Sequence, residues 1–305
     1  VGRNMKMNRM EVTQAELELK KQRMSLIKNV AASYYSVQFF QEKQRYFMRV
    51  DSLYARMSVM AETQLRLGDI SRLDKLNVQA KKQQTALELS KIAIEIQNAY
   101  SSLKAMMQTN EDFQISENGL KTIVVQKPEF QNNPVVQQYR LRSDYLKISS
   151  KAEQHRLLPD ISLGYFYGNN RYENARGYHG FQVGLGIPLF WGDQRSKIKA
   201  SRIASDTNEL LLQNNLILLE MKYRNLQNEL SKFSKTIDFY NNTGRQLSGE
   251  ITRTASRSYE TGEIDFYQFA VSMENALKLQ LDYYEAVSEY NRVALEINYL
   301  TAPNP

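Results

Sequence analysis

Cysteine is missing from all 305 residues, which removes disulfides, thiolate nucleophiles and cysteine-ligated metals together. Histidine occurs only twice, as His155 and His179, and neither has a second imidazole at ligand spacing. No glycine-rich phosphate loop, GxSxG elbow or HExxH helix is present. A catalytic reading therefore finds no residues to stand on, and no cofactor is expected. Long hydrophobic runs are also lacking: mean hydropathy is −0.55, and no stretch of about 18 apolar residues could form a transmembrane helix. The opening VGRNMKMNRM has neither an initiating methionine nor the apolar core of a signal peptide. The expectation is that residue 1 is a cut site or the start of a fragment.

Charge of one sign is missing in a local sense. The net charge is +7, yet 40 Lys and Arg are interleaved with 33 Asp and Glu, as in QAELELKKQR. Nucleic-acid binding needs a basic face, and mixed charge reads instead as solvated helix surface. Eleven methionines, Met5, Met7 and Met10 among them, raise the thought of copper. Methionine in a helical seam is ordinarily gap-filling core, so no metal site is expected.

Proline is confined to positions 128, 134, 159, 188, 303 and 305, leaving 1–127 and 189–302 free of it. Long helices require such composition. Apolar residues recur at three- and four-residue steps within both segments. Toward the end the series runs Phe266, Phe269, Met273, Ala276, Leu277, Gln280, Tyr283, Tyr284, Val287, Tyr290, Ala294 and Ile297, a heptad-like seam. Near the start, Leu26, Ile27, Val30, Ala31, Tyr34 and Tyr35 read the same way. A helix from Met5 to Arg66 would extend roughly 90 Å and must lie against neighbours.

Two stretches, LRLGDIS and YETGEID, repeat one pattern 194 residues apart, counted from Gly68 to Gly262. A lone glycine after a long helical run, followed by an acid and an isoleucine, suits a left-handed C-cap where a helix stops and reverses. Both read as tips of helical hairpins. The opening VGRNMKMN also resembles WGDQRSKI at 191–198, so the second copy is four residues longer between its anchors. Four residues make about one helical turn, which a coiled coil absorbs as a stutter. NNTGRQLSGE, at 241–250, is the expected place.

The middle of the chain is of different composition: six of the 13 glycines fall between 164 and 186. In DISLGYFYGN, Ile161, Leu163, Tyr165 and Tyr167 alternate with Ser162, Gly164, Phe166 and Gly168; in GFQVGLGIPLF, Phe181, Val183, Leu185, Ile187 and Leu189 alternate with Gln182, Gly184 and Gly186. Strict period two predicts strands. Each run is roughly nine residues, enough to cross a bilayer as a tilted strand. Neither interior carries a charge; Arg171, Glu173 and Arg176 sit in the connection, and Trp191 follows the hairpin. An apolar outer face, a small or polar inner face and aromatic borders mark an outer-membrane β-barrel. One hairpin leaves open edges, so lipid would require further strands.

With these features the chain resembles the TolC-like outer-membrane efflux family, carried by LLPDISLGYFYGNN, GFQVGLGIPLFWGDQRSKI and the paired tips. It is most similar to the heavy-metal CusC/CzcC kind, and its carboxy-terminal run to the TolC-type domains fused behind CusA/CzcA-type pumps. The resemblance implies a mainly helical fold: two long antiparallel coiled-coil hairpins forming a periplasmic α-barrel, plus a β-hairpin contributing to a trimeric twelve-stranded barrel. The implied segments are residues 1–108, a first-repeat hairpin with its tip at 67–71; 109–158, a linker and equatorial helix; 159–191, the membrane hairpin; and 192–302, the second-repeat hairpin with its tip at 260–265. The first repeat's strands would precede residue 1.

The resemblance also implies partners: two further copies, a periplasmic adaptor, an inner-membrane RND-type pump (fused upstream in one variant) and outer-membrane lipid, with no nucleic acid. Adaptor docking would fall on Leu67, Gly68, Asp69 and Ile70 with Thr261, Gly262, Glu263 and Ile264. Where the family's best-known member carries an aspartate pair, this chain has Gln268 and Val271, so an entrance gate would use Arg66, Arg72, Asp74 and Asp265. Lipid would meet Ile161, Leu163, Tyr165, Tyr167, Phe181, Val183, Leu185 and Ile187. The implied function is a passive exit duct for heavy-metal cations; the alternative is a soluble coiled-coil scaffold without channel activity.

Overall fold

In a computed structural model of the chain, residues 2–115, 119–127, 129–169, 177–186 and 191–301 are described. The elements run α1 (Gly2–Leu67), α2 (Arg72–Met107), a 3-10 turn (Phe130–Asn132), α3 (Pro134–His155), β1 (Asp160–Gly168), β2 (Tyr178–Gly186), α4 (Trp191–Phe239), a π-helical turn (Tyr240–Gly244), α5 (Arg245–Glu260) and α6 (Phe266–Thr301). The long helices α1, α2, α4, α5 and α6 fall within the proline-free segments, and the glycine-rich middle is an antiparallel strand pair, as the two periodicities predict. Among the described residues, no helix is long and apolar enough to cross a membrane.

The chain divides into two compact units. One comprises Val1–Lys21 and Phe130–Leu219. Its α3 begins with Asn133 as N-cap, whose side chain accepts from the Val135 amide at 2.9 Å, and with Pro134 in the first turn. Proline suits that position because its missing N–H would have had no helical partner. Polar clamps hold α3 in place: the Asn208 amide donates to the Tyr139 carbonyl at 3.1 Å, and Gln138 donates to Glu18 at 2.9 Å. The strands follow directly.

The other unit comprises Gln22–Glu129 and Glu220–Pro305. The α6 seam is its spine: Phe266, Phe269, Met273, Ala276, Tyr284, Val287, Ala294 and Ile297 are all buried. On α1 the seam runs differently from the sequence reading. Leu26 and Ile27 are exposed, and the packed face passes through Val30, Tyr34 and Val37 against Ala99, Leu103 and Ile115. Leu26 and Ile27 lie on that same face one turn earlier, so position along the helix, not facing, separates them from the packed residues. Where the second repeat was expected to accommodate its extra residues, the helix passes through a π-helical turn, Tyr240–Gly244. There the Tyr240 ring stacks on Tyr283 at 4.2 Å.

An extended segment between α2 and the 3-10 turn is fastened to α6 by two asparagines. Asn291 accepts from the Ile123 amide and donates to the Lys121 carbonyl, at 2.9 and 2.8 Å. Asn298 repeats the arrangement with the Gln126 amide and the Val124 carbonyl, at 2.9 and 3.0 Å. One heptad of helix rises about 10.5 Å, and three residues of extended chain span about 10 Å. The two periods match, so one residue type every seven positions ties an extended segment to a helix.

Candidate functional site

Both helix reversals close with the same hydrogen bonds. The Gly68 amide donates to the Leu65 carbonyl at 3.2 Å and the Asp69 amide to Gln64 at 2.9 Å; the Gly262 amide donates to Tyr259 at 3.2 Å and the Glu263 amide to Ser258 at 2.8 Å. Gly68 and Gly262 have φ of +84° and +79°. These are Schellman closures, in which a left-handed residue lets two consecutive amides reach back to the orphaned carbonyls. The next helix is then capped three residues beyond each glycine. Ser71 and Asp74 form a reciprocal capping box, with amide-to-side-chain bonds of 3.1 Å both ways. Asp265 accepts from the Gln268 amide at 2.8 Å.

The two tips lie side by side and line one open hollow of about 680 Å³. Leu67 projects from it, 71% exposed, and Gly68, Asp69, Thr261, Gly262 and Glu263 are exposed. Ile70 and Ile264 instead turn inward onto the cluster of Met57, Val78, Tyr259, Phe266 and Phe269. Of the candidate gate residues, Asp74 and Asp265 are engaged as caps. Arg66 and Arg72 are exposed, and neither makes an ion pair among the described residues. The structure therefore gathers these four at one end without joining them through ion pairs.

Sequence reasoning missed two residues beneath the tips. The Tyr259 hydroxyl and Gln64 Oε1 are buried without a hydrogen-bond partner among the described residues. Burial pushes the Tyr259 hydroxyl pKa up, and the nearby Asp74 charge acts in the same direction. No motif signals either residue; only their places just before the two glycines could have drawn notice. Ser71 was legible, since Ser-x-x-Asp opening a helix is a capping signature.

In the strand pair, Ile161 faces Leu185, Leu163 faces Val183, and Tyr165 faces Phe181, placing the apolar residues on one side. The opposite side pairs Ser162 with Gly184 and Gly164 with Gln182. Phe166, the aromatic exception there, lies over Gly180, where any Cβ would overlap its ring. The apolar side is bare: Leu163 is 76% and Phe181 75% exposed. Ile187 and the loop charges Arg171, Glu173 and Arg176 lie outside the described residues. His179 proves to be a strand residue on the apolar side, opposite Tyr167 and hydrogen-bonded to the Tyr165 hydroxyl. Among the described residues, no group of three His, Asp or Glu side chains is placed to hold a metal ion.

Comparison with known proteins agrees with this architecture. No curated protein sequence matches the chain. Among solved structures, the outer-membrane channel OprN superposes with a TM-score of 0.86 at 16% identity, over 98% of this chain and 71% of that one. CusC, described for its folding and transmembrane channel formation, gives 0.83 at 13% identity over 98% and 74%. The Campylobacter jejuni CmeC outer membrane channel gives 0.79 at 14% identity over 97% and 66%. The chain thus spans roughly two thirds to three quarters of these relatives, and at such identities the likeness is one of fold. The profile described as Outer membrane efflux protein matches residues 129–291, more than half of the sequence. The chain belongs to the outer membrane efflux protein family.

Proposed function

We propose that this chain is the protomer of an exit duct in a tripartite efflux system of a Gram-negative bacterium, conducting substrate passively through the periplasm and outer membrane. The observation that carries the reading is the strand pair: a bare apolar face, a face of small and polar residues apart from Phe166, and two edges without ladder partners among the described residues. In water such a hairpin is an aggregation hazard. In a closed barrel its edges are paired and its apolar side meets lipid. Three copies, each adding a second strand pair from a segment before residue 1, would close twelve strands. The segments 1–108, 109–158, 159–191 and 192–302 would serve as first hairpin, equatorial region, membrane hairpin and second hairpin.

The tips are the proposed meeting point with the adaptor, and an inner-membrane RND-type pump supplies the energy. Heavy-metal cations are the proposed cargo, on the strength of the resemblance to the CusC/CzcC branch. Gating would rest on small movements of the tip hairpins, with Asp74 and Asp265 holding the closed arrangement through the caps they make. The test is conductance of the trimer, with its upstream strands, in planar bilayers. Replacing Asp74 and Asp265 by alanine should raise conductance. A protein that fractionates wholly with soluble material and forms no pores would favour the scaffold reading.

A further inference from the structure

The apolar side of the strand pair changes character along its length. At the helix end Ile161 faces Leu185 and Leu163 faces Val183, all four aliphatic and exposed. At the loop end Tyr165 faces Phe181 and Tyr167 faces His179. The His179 ring packs against both tyrosines, 5.8 Å from Tyr165 and 4.9 Å from Tyr167. Its Nδ1 is hydrogen-bonded to the Tyr165 hydroxyl. With that hydroxyl donating, the imidazole proton sits on Nε2. Neither Nε2 nor the Tyr167 hydroxyl has a hydrogen-bond partner among the described residues, and both side chains are exposed. Two polar donors therefore stand side by side on a face otherwise made for hydrocarbon, where an unmet donor is costly.

The length of the strands says at what depth the pair lies. A membrane barrel carries an apolar band about 25 Å tall. A strand rising about 3.3 Å per residue and tilted about 40° gains roughly 2.5 Å of depth per residue, so the band takes about ten residues. Counting about ten residues back from Tyr167 and on from His179 reaches positions 157 and 189, close to Pro159 and Pro188, which bracket the hairpin. The strands thus have length for one band, and Tyr167 and His179 fall on its loop-side border. Beyond them the connection carries Arg171, Glu173 and Arg176, residue types that hydrocarbon excludes. With the helices in the periplasm, this border belongs to the outer leaflet.

We propose that His179, with Tyr167 beside it, binds the phosphate of an outer-leaflet lipid and so fixes the depth at which the hairpin sits. The inference rests on the barrel reading above and adds a ligand to it. An N–H and an O–H donor held side by side suit two oxygens of one phosphate, and hydrogen bonds to a charged acceptor are the stronger kind. The apolar side presents no carboxylate among the described strand residues, so an anion meets no repulsion there. Tyr165 acts as a positioning residue, since its hydroxyl holds Nδ1 and orients the ring. A purely apolar border would be served equally well by phenylalanine at position 179.

The test uses the trimer, with its upstream strands, in vesicles that mix phosphatidylcholine with the phosphate-free lipid digalactosyldiacylglycerol. Because this chain lacks cysteine, Leu163→Cys gives a single site for a fluorophore on the lipid-facing side. Chain-brominated versions of each lipid, used in turn, quench it according to which lipid lies against the hairpin. The phospholipid should be preferred roughly fivefold. His179→Phe keeps the ring and the apolar area but has no Nε2, and should bring the preference to parity while the label remains quenched. His179→Gln, which keeps a donor, should retain most of it. Quenching without lipid preference, or a preference that His179→Phe leaves unchanged, overturns the inference and leaves the duct reading standing. Loss of the preference on adding millimolar inorganic phosphate also overturns it, because the ligand would then be the free ion. A label that neither lipid quenches overturns both readings.

Discussion

Gly262 and Gly68 isolate a single physical variable. At each, a Cβ would meet nothing within 4 Å, so a substitution meets no clash and all of its cost is backbone strain at positive φ. Gly262→Ala should lower unfolding free energy by about 1 kcal/mol, measurable by urea denaturation. Asp265→Ala should cost a similar amount through loss of the N-cap. A second residue-scale prediction concerns Tyr54, whose hydroxyl pKa is pushed from 10.0 to about 12, first by burial and then by the Glu274 charge. Its folded-state pKa is raised, so the stability it contributes is full below pH 10 and is lost as pH rises toward 12. At roughly 1.4 kcal/mol per pH unit, that loss is about 2–3 kcal/mol. Tyr54→Phe should flatten the fall in urea midpoint across this window by that amount. Tyr46, also raised to about 12 with burial as the leading cause, would retain its own share.

Among the elements, the asparagine clip makes the sharpest claim. Asn291 is 1% exposed and serves both a backbone amide and a backbone carbonyl of the extended segment. Asn291→Ala leaves both without that partner, at a cost of about 2–3 kcal/mol. Asn298, less buried, should cost less. Hydrogen exchange at the Ile123 amide should quicken in the first variant and at the Gln126 amide in the second. This clip also marks the limit of what the sequence revealed. The helices, the strands and the two reversals were legible because each writes its own local period or turn residue: 3.6, 2, and a glycine before an acid. Asn291 and Asn298 are legible only once the extended segment they serve is known to lie on α6. The exposed Leu26 and Ile27 failed for a related reason, since they share the packed face and a sequence does not announce how far along a helix its neighbours cover that face. The cap roles of Asp74 and Asp265 were written locally, whereas the partnerless hydroxyl of Tyr259 depends on what other helices bring to it.

At the scale of the whole molecule, the proposed duct stands or falls on the two faces of one strand pair, and substitutions can address them separately. Leu163 and Val183 face each other on the apolar side; Gln182 and Gly164 face each other on the other. A carboxylate on a lipid-facing strand position is destabilising in proportion to its depth, on the order of 2 kcal/mol near the midplane for an acidic side chain. Leu163→Asp paired with Val183→Asp should therefore abolish recovery of the protein in the outer-membrane fraction. Gln182→Glu adds the same charge to a side that would line water, and should leave membrane recovery intact while altering ion selectivity in planar bilayers. A soluble scaffold gives the opposite ordering. Exposed leucine and valine replaced by aspartate would then improve solubility, and no variant would partition with membranes at all. The comparison is internal to one hairpin and one fractionation, so expression level and general instability affect both faces alike and only the sidedness is read.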